Sequence, residues 1–112
     1  MSQHLDRRAE NRRAEERRAI VLDVSAWSLA QPTELLRGTT VDLSAGGALL
    51  RLPGLSEAAV RLEVRLSLPE HSLAATVNVV RCGPPDLVAV TFETIAPSEH
   101  DRLLEFIRAA PG

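Results

Sequence analysis

The sequence predicts an all-β fold, a small six-stranded antiparallel β-barrel with one C-terminal helix that covers a face or an end of the barrel. Strict alternation of apolar and polar residues over positions 60–68 is typical of a strand with one buried and one solvated face. The other short apolar segments are separated by residues that favour turns. With 112 residues, the chain is long enough for one domain with a modest core.

The strands follow in order from the two-residue period and from the turn residues that interrupt it. Alternation of Ile20, Leu22 and Val24 with residues of the opposite face predicts a first strand over residues 20–29. The segment 31–33, which contains a proline, predicts a turn or loop. Five further strands are predicted at residues 35–43, 48–52, 60–68, 73–82 and 87–93.

A helix is predicted near the end of the chain. Ser98 is placed to cap its N-terminus, and Asp101, three residues later, completes a pair that resembles a capping box. Apolar residues between positions 103 and 107 give this helix a face that can be buried against the barrel. The final Pro-Gly pair ends it.

Composition and charge exclude several classes of protein. The formal net charge is −2, so long-range attraction of the whole molecule to nucleic acid or to an anionic membrane is not expected. Cys82 is the single cysteine, which excludes an intrachain disulfide and favours a reducing compartment. Neither a membrane-spanning apolar segment nor a signal peptide is evident, so the sequence predicts a cytoplasmic protein without membrane insertion.

The first 18 residues are unlike the rest because they are rich in arginine and poor in large apolar side chains. They hold six Arg against four acids, whereas residues 19–112 hold seven Arg against 11 acids. Arg13 and Arg17 are four residues apart, a spacing that places two guanidinium groups on one side of a helical turn or around one anion. Without an apolar face, this N-terminal arm is expected to be frayed or mobile.

A second polar motif lies between the second and third predicted strands, where the sequence reads Asp42-Leu43-Ser44-Ala45-Gly46-Gly47. Asp42 and Ser44, two residues apart in an extended chain, are expected to point to one side. Gly46 and Gly47 leave bare backbone against which a ligand can lie. The alternative is a tight hairpin in which the polar side chains bond to their own backbone.

Nothing in the sequence assembles a catalytic centre. Ser44 lacks the glycine pattern of a nucleophile elbow, and His4, His71 and His100 have no metal-ligand spacing. The sequence therefore favours a binding module over an enzyme, with no metal and no cofactor.

Taken together, the arginine pair before the first strand and the Asp-x-Ser-x-x-Gly motif after the second resemble the PilZ domain, a bacterial receptor module for cyclic di-GMP. The resemblance implies a PilZ-like domain at residues 12–110 behind a flexible arm at residues 1–11. It also implies a six-stranded PilZ-like barrel and cyclic di-GMP as ligand, with a downstream protein partner and no DNA or RNA. The ligand-binding residues that it implies are Arg12, Arg13, Arg17, Asp42, Ser44, Gly46 and Gly47.

The resemblance implies a mechanism in which the arm closes over the barrel on binding. Arg13 and Arg17 would grip a phosphate and the Hoogsteen edge of guanine, and Arg12 would pair with or stack on a second ligand molecule. Glu15 and Glu16 lie inside the arginine motif and would weaken the attraction for phosphate. Arg8 and Arg12 are also four residues apart, so they form an alternative working pair.

Three other functions remain open at this point. The first is a PilZ-fold interaction module that does not bind the nucleotide. The second is a small barrel that binds single-stranded nucleic acid, against which stands an aromatic content of 3% with no tyrosine. The third is a hydrolase of the nucleotide, against which stands the lack of a recognisable set of catalytic residues in the sequence.

Overall fold

A computed structural model of the protein describes residues 17–55 and 61–110. The described part contains six strands and one helix, in the predicted order. The elements are β1 (Asp23–Ser28), β2 (Gln31–Leu43), β3 (Gly47–Arg51), β4 (Arg61–Ser67), β5 (Ser72–Gly83), β6 (Leu87–Thr94) and α1 (Pro97–Ala109). The expected mobility of residues 1–16 and the domain boundary after residue 11 lie outside the described residues, whereas Arg18, at the end of the predicted arm, is bonded to β2.

The six strands form a closed antiparallel barrel in the order β1-β2-β3-β6-β5-β4. Closure comes from β1, which pairs with β2 on one side and with β4 on the other. Because every strand then has two neighbours, the barrel has no unpaired sheet edge. The predicted fold class, an all-β barrel with a C-terminal helix, is confirmed.

The core follows the alternation seen in the sequence. In β4, Leu62, Val64 and Leu66 are each at most 1% exposed, whereas Arg61 and Arg65 face solvent. Burial of each such leucine contributes about 1.5–3 kcal/mol to folding. The strand predicted with the clearest period is therefore also the one with the most regular buried face.

The helix α1 packs Leu103 and Ile107 into this core, as the apolar face predicted. Its start differs from the prediction, because Ala96 is the N-cap residue and no side chain caps the helix. Pro97 occupies the first helical position, where its missing N–H removes one donor that would need a partner. Ser98 is thus already inside the helix, so the predicted Ser98 cap is wrong.

Two predicted boundaries near β1 are also wrong. The strand begins at Asp23 rather than at residue 20, because residues 18–22 are held by a different set of bonds described below. The predicted turn at residues 31–33 belongs to β2, and the chain reverses at residues 29 and 30. The register shifts between Ala26↔Leu36 and Ser28↔Gln31, so Pro32 lies in the irregular part of the β1–β2 pairing.

Within the described ranges, no helix is both long enough and apolar enough to cross a membrane.

Candidate functional site

The chain enters the barrel beside the C-terminal end of β2, and backbone bonds fix it there. Arg18 and Leu43 exchange two backbone hydrogen bonds, with N···O distances of 3.0 and 2.9 Å. The hydroxyl of Thr40, 1% exposed, donates to the carbonyl of Ile20 and accepts from the backbone N–H of Leu22. These bonds satisfy buried backbone groups that would otherwise have no partner, and they hold the segment before β1 against β2.

This attachment places Arg17 next to Asp42. Nη1 of Arg17 lies 2.8 Å from Oδ1 of Asp42, although the two residues are 25 positions apart. The Arg17 side chain is 55% exposed and that of Asp42 is 22% exposed, so the pair lies at the surface. The structure thus joins the last arginine of the arm motif to the first residue of the second motif. Arg12 and Arg13 lie outside the described residues.

The loop after β2 is closed by its own hydrogen bonds. The backbone N–H of Ser44 donates to the carbonyl of Gly47 at 2.9 Å, and the Ser44 hydroxyl is 3.2 Å from both the N–H and the carbonyl of Gly47. Ser44 is 4% exposed. The hairpin interpretation of the motif therefore describes this loop, and a contact between Ser44 and a ligand stays a prediction.

Gly47 is required by packing against the next strand. A Cβ atom at this position would lie 2.2 Å from the carbonyl oxygen of Val90 on β6, a distance that no side chain tolerates. The neighbouring Gly46 accepts a hydrogen bond from the backbone N–H of Phe92 at 2.9 Å. Both glycines thus dock the loop on β6, and their proposed approach to a ligand remains untested.

One residue that contacts this loop, His100, was not predicted from the sequence as a site residue. Nε2 of His100, in the first turn of α1, lies 3.2 Å from the carbonyl oxygen of Ala45. Residues 45 and 100 are far apart in the chain, and a histidine at a helix start reads as a surface residue. Only the three-dimensional closure of the barrel brings them together.

A separate groove of about 660 Å³ lies between the β4–β5 turn and α1. Its lining includes the ionisable residues Glu70, His71 and Arg102, and it shares no residue with the Arg17–Asp42 pair or the loop. His71 and Glu99 approach to 3.6 Å at the base of the same helix. Among residues 17–55 and 61–110, no group of three or more potential ligand side chains could hold a metal ion.

Comparison with models of protein families tests the resemblance that the two motifs suggested. A sequence profile of the PilZ domain matches residues 11–109, nearly the whole chain. The chain belongs to the PilZ domain family. PilZ domains are a family of cyclic di-GMP receptors and act as binding modules. The match spans both the arginine motif and residues 42–47, and the structure brings Arg17 of the first into contact with Asp42 of the second.

Solved structures share the PilZ fold of this chain. The PilZ domain of CeSA from a cellulose-synthesizing bacterium is 17% identical, with a TM-score of 0.66 over 83% of this chain and 95% of that one. The PilZ domain of YcgR from Escherichia coli, solved with c-di-GMP, is 14% identical, with a TM-score of 0.66 over 88% of this chain and 90% of that one. At these identities the likeness shows the fold alone.

A third structure is more similar in sequence. The Bacillus subtilis inhibitor of motility (MotI/DgrA) is 28% identical, with a TM-score of 0.71 over 87% of this chain. The match covers 50% of the Bacillus subtilis chain, so the present chain corresponds to about half of that protein. No curated protein matches the sequence at a significant level.

Proposed function

We propose that this PilZ domain is a cyclic di-GMP receptor that changes the conformation of its N-terminal arm on binding and signals to a protein partner. Membership of the family supports the ligand class. The observation that supports the proposal is the 2.8 Å contact between Arg17 and Asp42, because it joins one residue from each of the two motifs at the surface.

The chemistry of this pair suits a phosphorylated guanine ligand. A guanidinium group carries five N–H donors, and within the described residues only Nη1 of Arg17 is bonded to a side chain. The remaining donors suit phosphate oxygens or the O6 and N7 atoms of guanine. The carboxylate of Asp42 orients Arg17 in the absence of ligand and accepts from guanine N–H groups when the ligand is bound.

The arm supplies the other arginines. Arg12 and Arg13 precede Arg17 by five and four residues, so a ligand held by Arg17 is within their reach. Binding would therefore order the arm across the rim of the barrel near Arg17, and the ordered arm would present a new surface to the partner. Comparison of backbone amide NMR signals for residues 1–16 with and without cyclic di-GMP tests this step. Unchanged signals at saturation would contradict it.

Isothermal titration calorimetry with cyclic di-GMP tests the receptor function directly. The wild type is expected to bind with a stoichiometry of one or two ligand molecules per chain. Arg17→Ala is expected to weaken binding about 100-fold, because it removes one or two hydrogen bonds to charged groups. Arg61→Ala is the matched control, since Arg61 forms an ion pair of the same 2.8 Å length with Glu93 on the barrel wall. Equal loss in both variants, or no heat with the wild type, would refute the proposal.

A second candidate is a PilZ-fold interaction module that does not bind the nucleotide. One observation favours it: Ser44 and Gly47 already have structural roles inside the loop, so the motif is stable without a ligand. Glu15 and Glu16 also lie within the arginine motif. Absence of binding heat with the wild type, together with an unchanged melting temperature at high cyclic di-GMP concentration, would favour this candidate.

Catalytic turnover of the ligand is not part of the proposed function. Prolonged incubation of the protein with cyclic di-GMP is expected to leave the nucleotide intact when the mixture is separated by chromatography. Linear dinucleotide or mononucleotide product that scales with protein concentration would instead indicate a hydrolase.

A further inference from the structure

The loop that carries the second motif is tied to α1 by one side chain. Nε2 of His100 lies 3.2 Å from the carbonyl oxygen of Ala45, and both residues are half-buried. Ala45 is in the middle of the loop, between buried Ser44 and the two glycines. The contact therefore joins the loop to a helix whose Leu103 is fully buried in the core.

The chemistry of the contact defines the state of the imidazole ring. A carbonyl oxygen only accepts hydrogen bonds, so Nε2 of His100 must carry the proton and donate it. The opposite tautomer would point an Nε2 lone pair at the oxygen of Ala45, and the two would repel. The bond is thus formed by the Nε2–H tautomer or by the doubly protonated ring.

The other hydrogen bonds of the loop do not involve the carbonyl oxygen of Ala45, which is bonded to His100 instead. Ser44 and Gly47 are bonded to each other, and the carbonyl of Gly46 accepts from Phe92 on β6. None of these bonds uses the carbonyl of Ala45. Among the described residues, His100 provides its only recorded side-chain partner, so it restricts the orientation of the peptide at the centre of the loop.

We propose that His100 is a positioning residue for the ligand-binding loop, which it holds in the orientation that receives cyclic di-GMP. This inference rests on the proposed function. His100 forms no hydrogen bond or ion pair with Arg17 or Asp42, both of which the structure describes, so it acts through the backbone of Ala45. The loop and the first turn of α1 then behave as one unit, which links occupancy of the site to the helix.

Substitution at position 100 tests the proposal by calorimetry with cyclic di-GMP. His100→Ala is expected to weaken binding about fivefold, the effect of one net hydrogen bond. His100→Gln is expected to restore affinity to within about twofold, because the glutamine amide can donate from a similar position. Asp101→Asn, at the exposed neighbouring position, is the control and is expected to bind like the wild type.

A purely structural role would give a different pattern. If His100 only stabilised the fold, His100→Ala would lower the melting temperature while the folded fraction bound with wild-type affinity, and the proposal would be overturned. Equal weakening by His100→Gln and His100→Ala would also overturn it, because the rescue depends on a donor at this position.

Nitrogen-15 NMR of the imidazole ring provides a readout that does not depend on ligand. The free protein at neutral pH is expected to show His100 protonated at Nε2, and the opposite tautomer would contradict the geometry. The outcomes also separate the two proposals. Wild-type protein that does not bind cyclic di-GMP refutes the proposed function together with the inference, whereas binding that is insensitive to His100→Ala refutes the inference alone.

Discussion

Two ion pairs on this barrel have nearly the same geometry but different surroundings. Arg17–Asp42 and Arg61–Glu93 both have N···O distances of 2.8 Å, and their arginine side chains are 55% and 51% exposed. Arg61 directs both Nε and Nη2 at the same oxygen of Glu93, across the outer surface of β5. Arg17 uses only Nη1 among the described contacts, and it lies beside a closed loop rather than on a plain strand.

The comparison shows that the bond itself does not identify a site. Exposed ion pairs contribute about 0–1 kcal/mol to stability wherever they lie. What differs is the context: Arg17 follows directly on the Arg18–Leu43 backbone bridge and, among the described residues, uses only one of its donors, whereas Nε and Nη2 of Arg61 are both directed at one carboxylate. The proposed role of Arg17 in recognition rests on donors that are held in place and have no partner among the described side chains.

The largest effect is expected when the charges within each pair are exchanged, because this should change the affinity for cyclic di-GMP much more than the free energy of unfolding. In the double variant Arg17→Glu with Asp42→Arg, the ion pair can re-form, so the free energy of unfolding is expected to stay within about 1 kcal/mol of wild type. Affinity for cyclic di-GMP is expected to fall about 300-fold, because a carboxylate replaces the guanidinium that would meet the phosphate in the proposed site. Chemical denaturation and calorimetry measure the two quantities.

The exchanged pair on the wall, Arg61→Glu with Glu93→Arg, is the control and is expected to change neither quantity by more than a small amount. If the exchanged Arg17–Asp42 pair still bound cyclic di-GMP with wild-type affinity, the distinction drawn between the two pairs would be wrong.

Of the two pairs, only the Arg17–Asp42 pair lies beside the loop after β2, and a substitution at Gly47 tests how that loop is packed. Gly47→Ala places a Cβ 2.2 Å from the Val90 carbonyl oxygen, so β3 and β6 must separate. The free energy of unfolding is expected to fall by about 2–3 kcal/mol, the upper part of the range for overpacked cores. Gly83→Ala is the matched control because a Cβ there meets nothing within 4 Å. Denaturant unfolding that gave equal stability for the two variants would contradict this packing role.

The attachment of the chain beside β2 predicts a slightly smaller effect. Thr40→Val keeps the shape of the side chain but removes the hydroxyl that serves Ile20 and Leu22. Two buried backbone groups then lose their partner, and the free energy of unfolding is expected to fall by about 2 kcal/mol. Thr39→Val, at the preceding and more exposed position, should cost much less. Similar losses in both variants would show that the Thr40 bonds do not hold the segment.

The sequence was sufficient for those features that depend on local periodicity. The alternation at β4 and the turn residues between strands predicted six strands, a closing helix and hence the barrel, because a buried face imposes its own period. Ser98 failed as a cap because the helix begins with Pro97, so the N-cap is Ala96, two residues before the predicted position. The early start assigned to β1 failed because residues 18–22 are held by Thr40 rather than by a regular ladder.

The candidate site was only partly predictable, because some of its contacts follow from local spacing and others join residues that are distant in the chain. The spacing of Asp42, Ser44 and Gly47 is local and could be recognised, and it also matched a self-contained hairpin, which the structure contains. The bond from His100 to Ala45 and the contact of Gly47 with Val90 depend on strand order and closure. No local pattern encodes such contacts, because each partner is selected by its position in the folded barrel.

Neutralisation of the carboxylates gives the smallest expected effect and tests whether the two pairs are energetically equal. Asp42→Asn and Glu93→Gln should each lower the free energy of unfolding by about 0.5 kcal/mol at low salt, because both pairs are exposed. The difference should shrink as the ionic strength rises from about 0.05 M to 0.5 M, since screening weakens surface attraction. Asp42 is the less exposed carboxylate, so its substitution should retain more of its effect in salt, as measured by urea unfolding. A loss above about 2 kcal/mol for Asp42→Asn that persisted in high salt would mean that this pair is itself part of the framework, and that its stability and its recognition role cannot be separated.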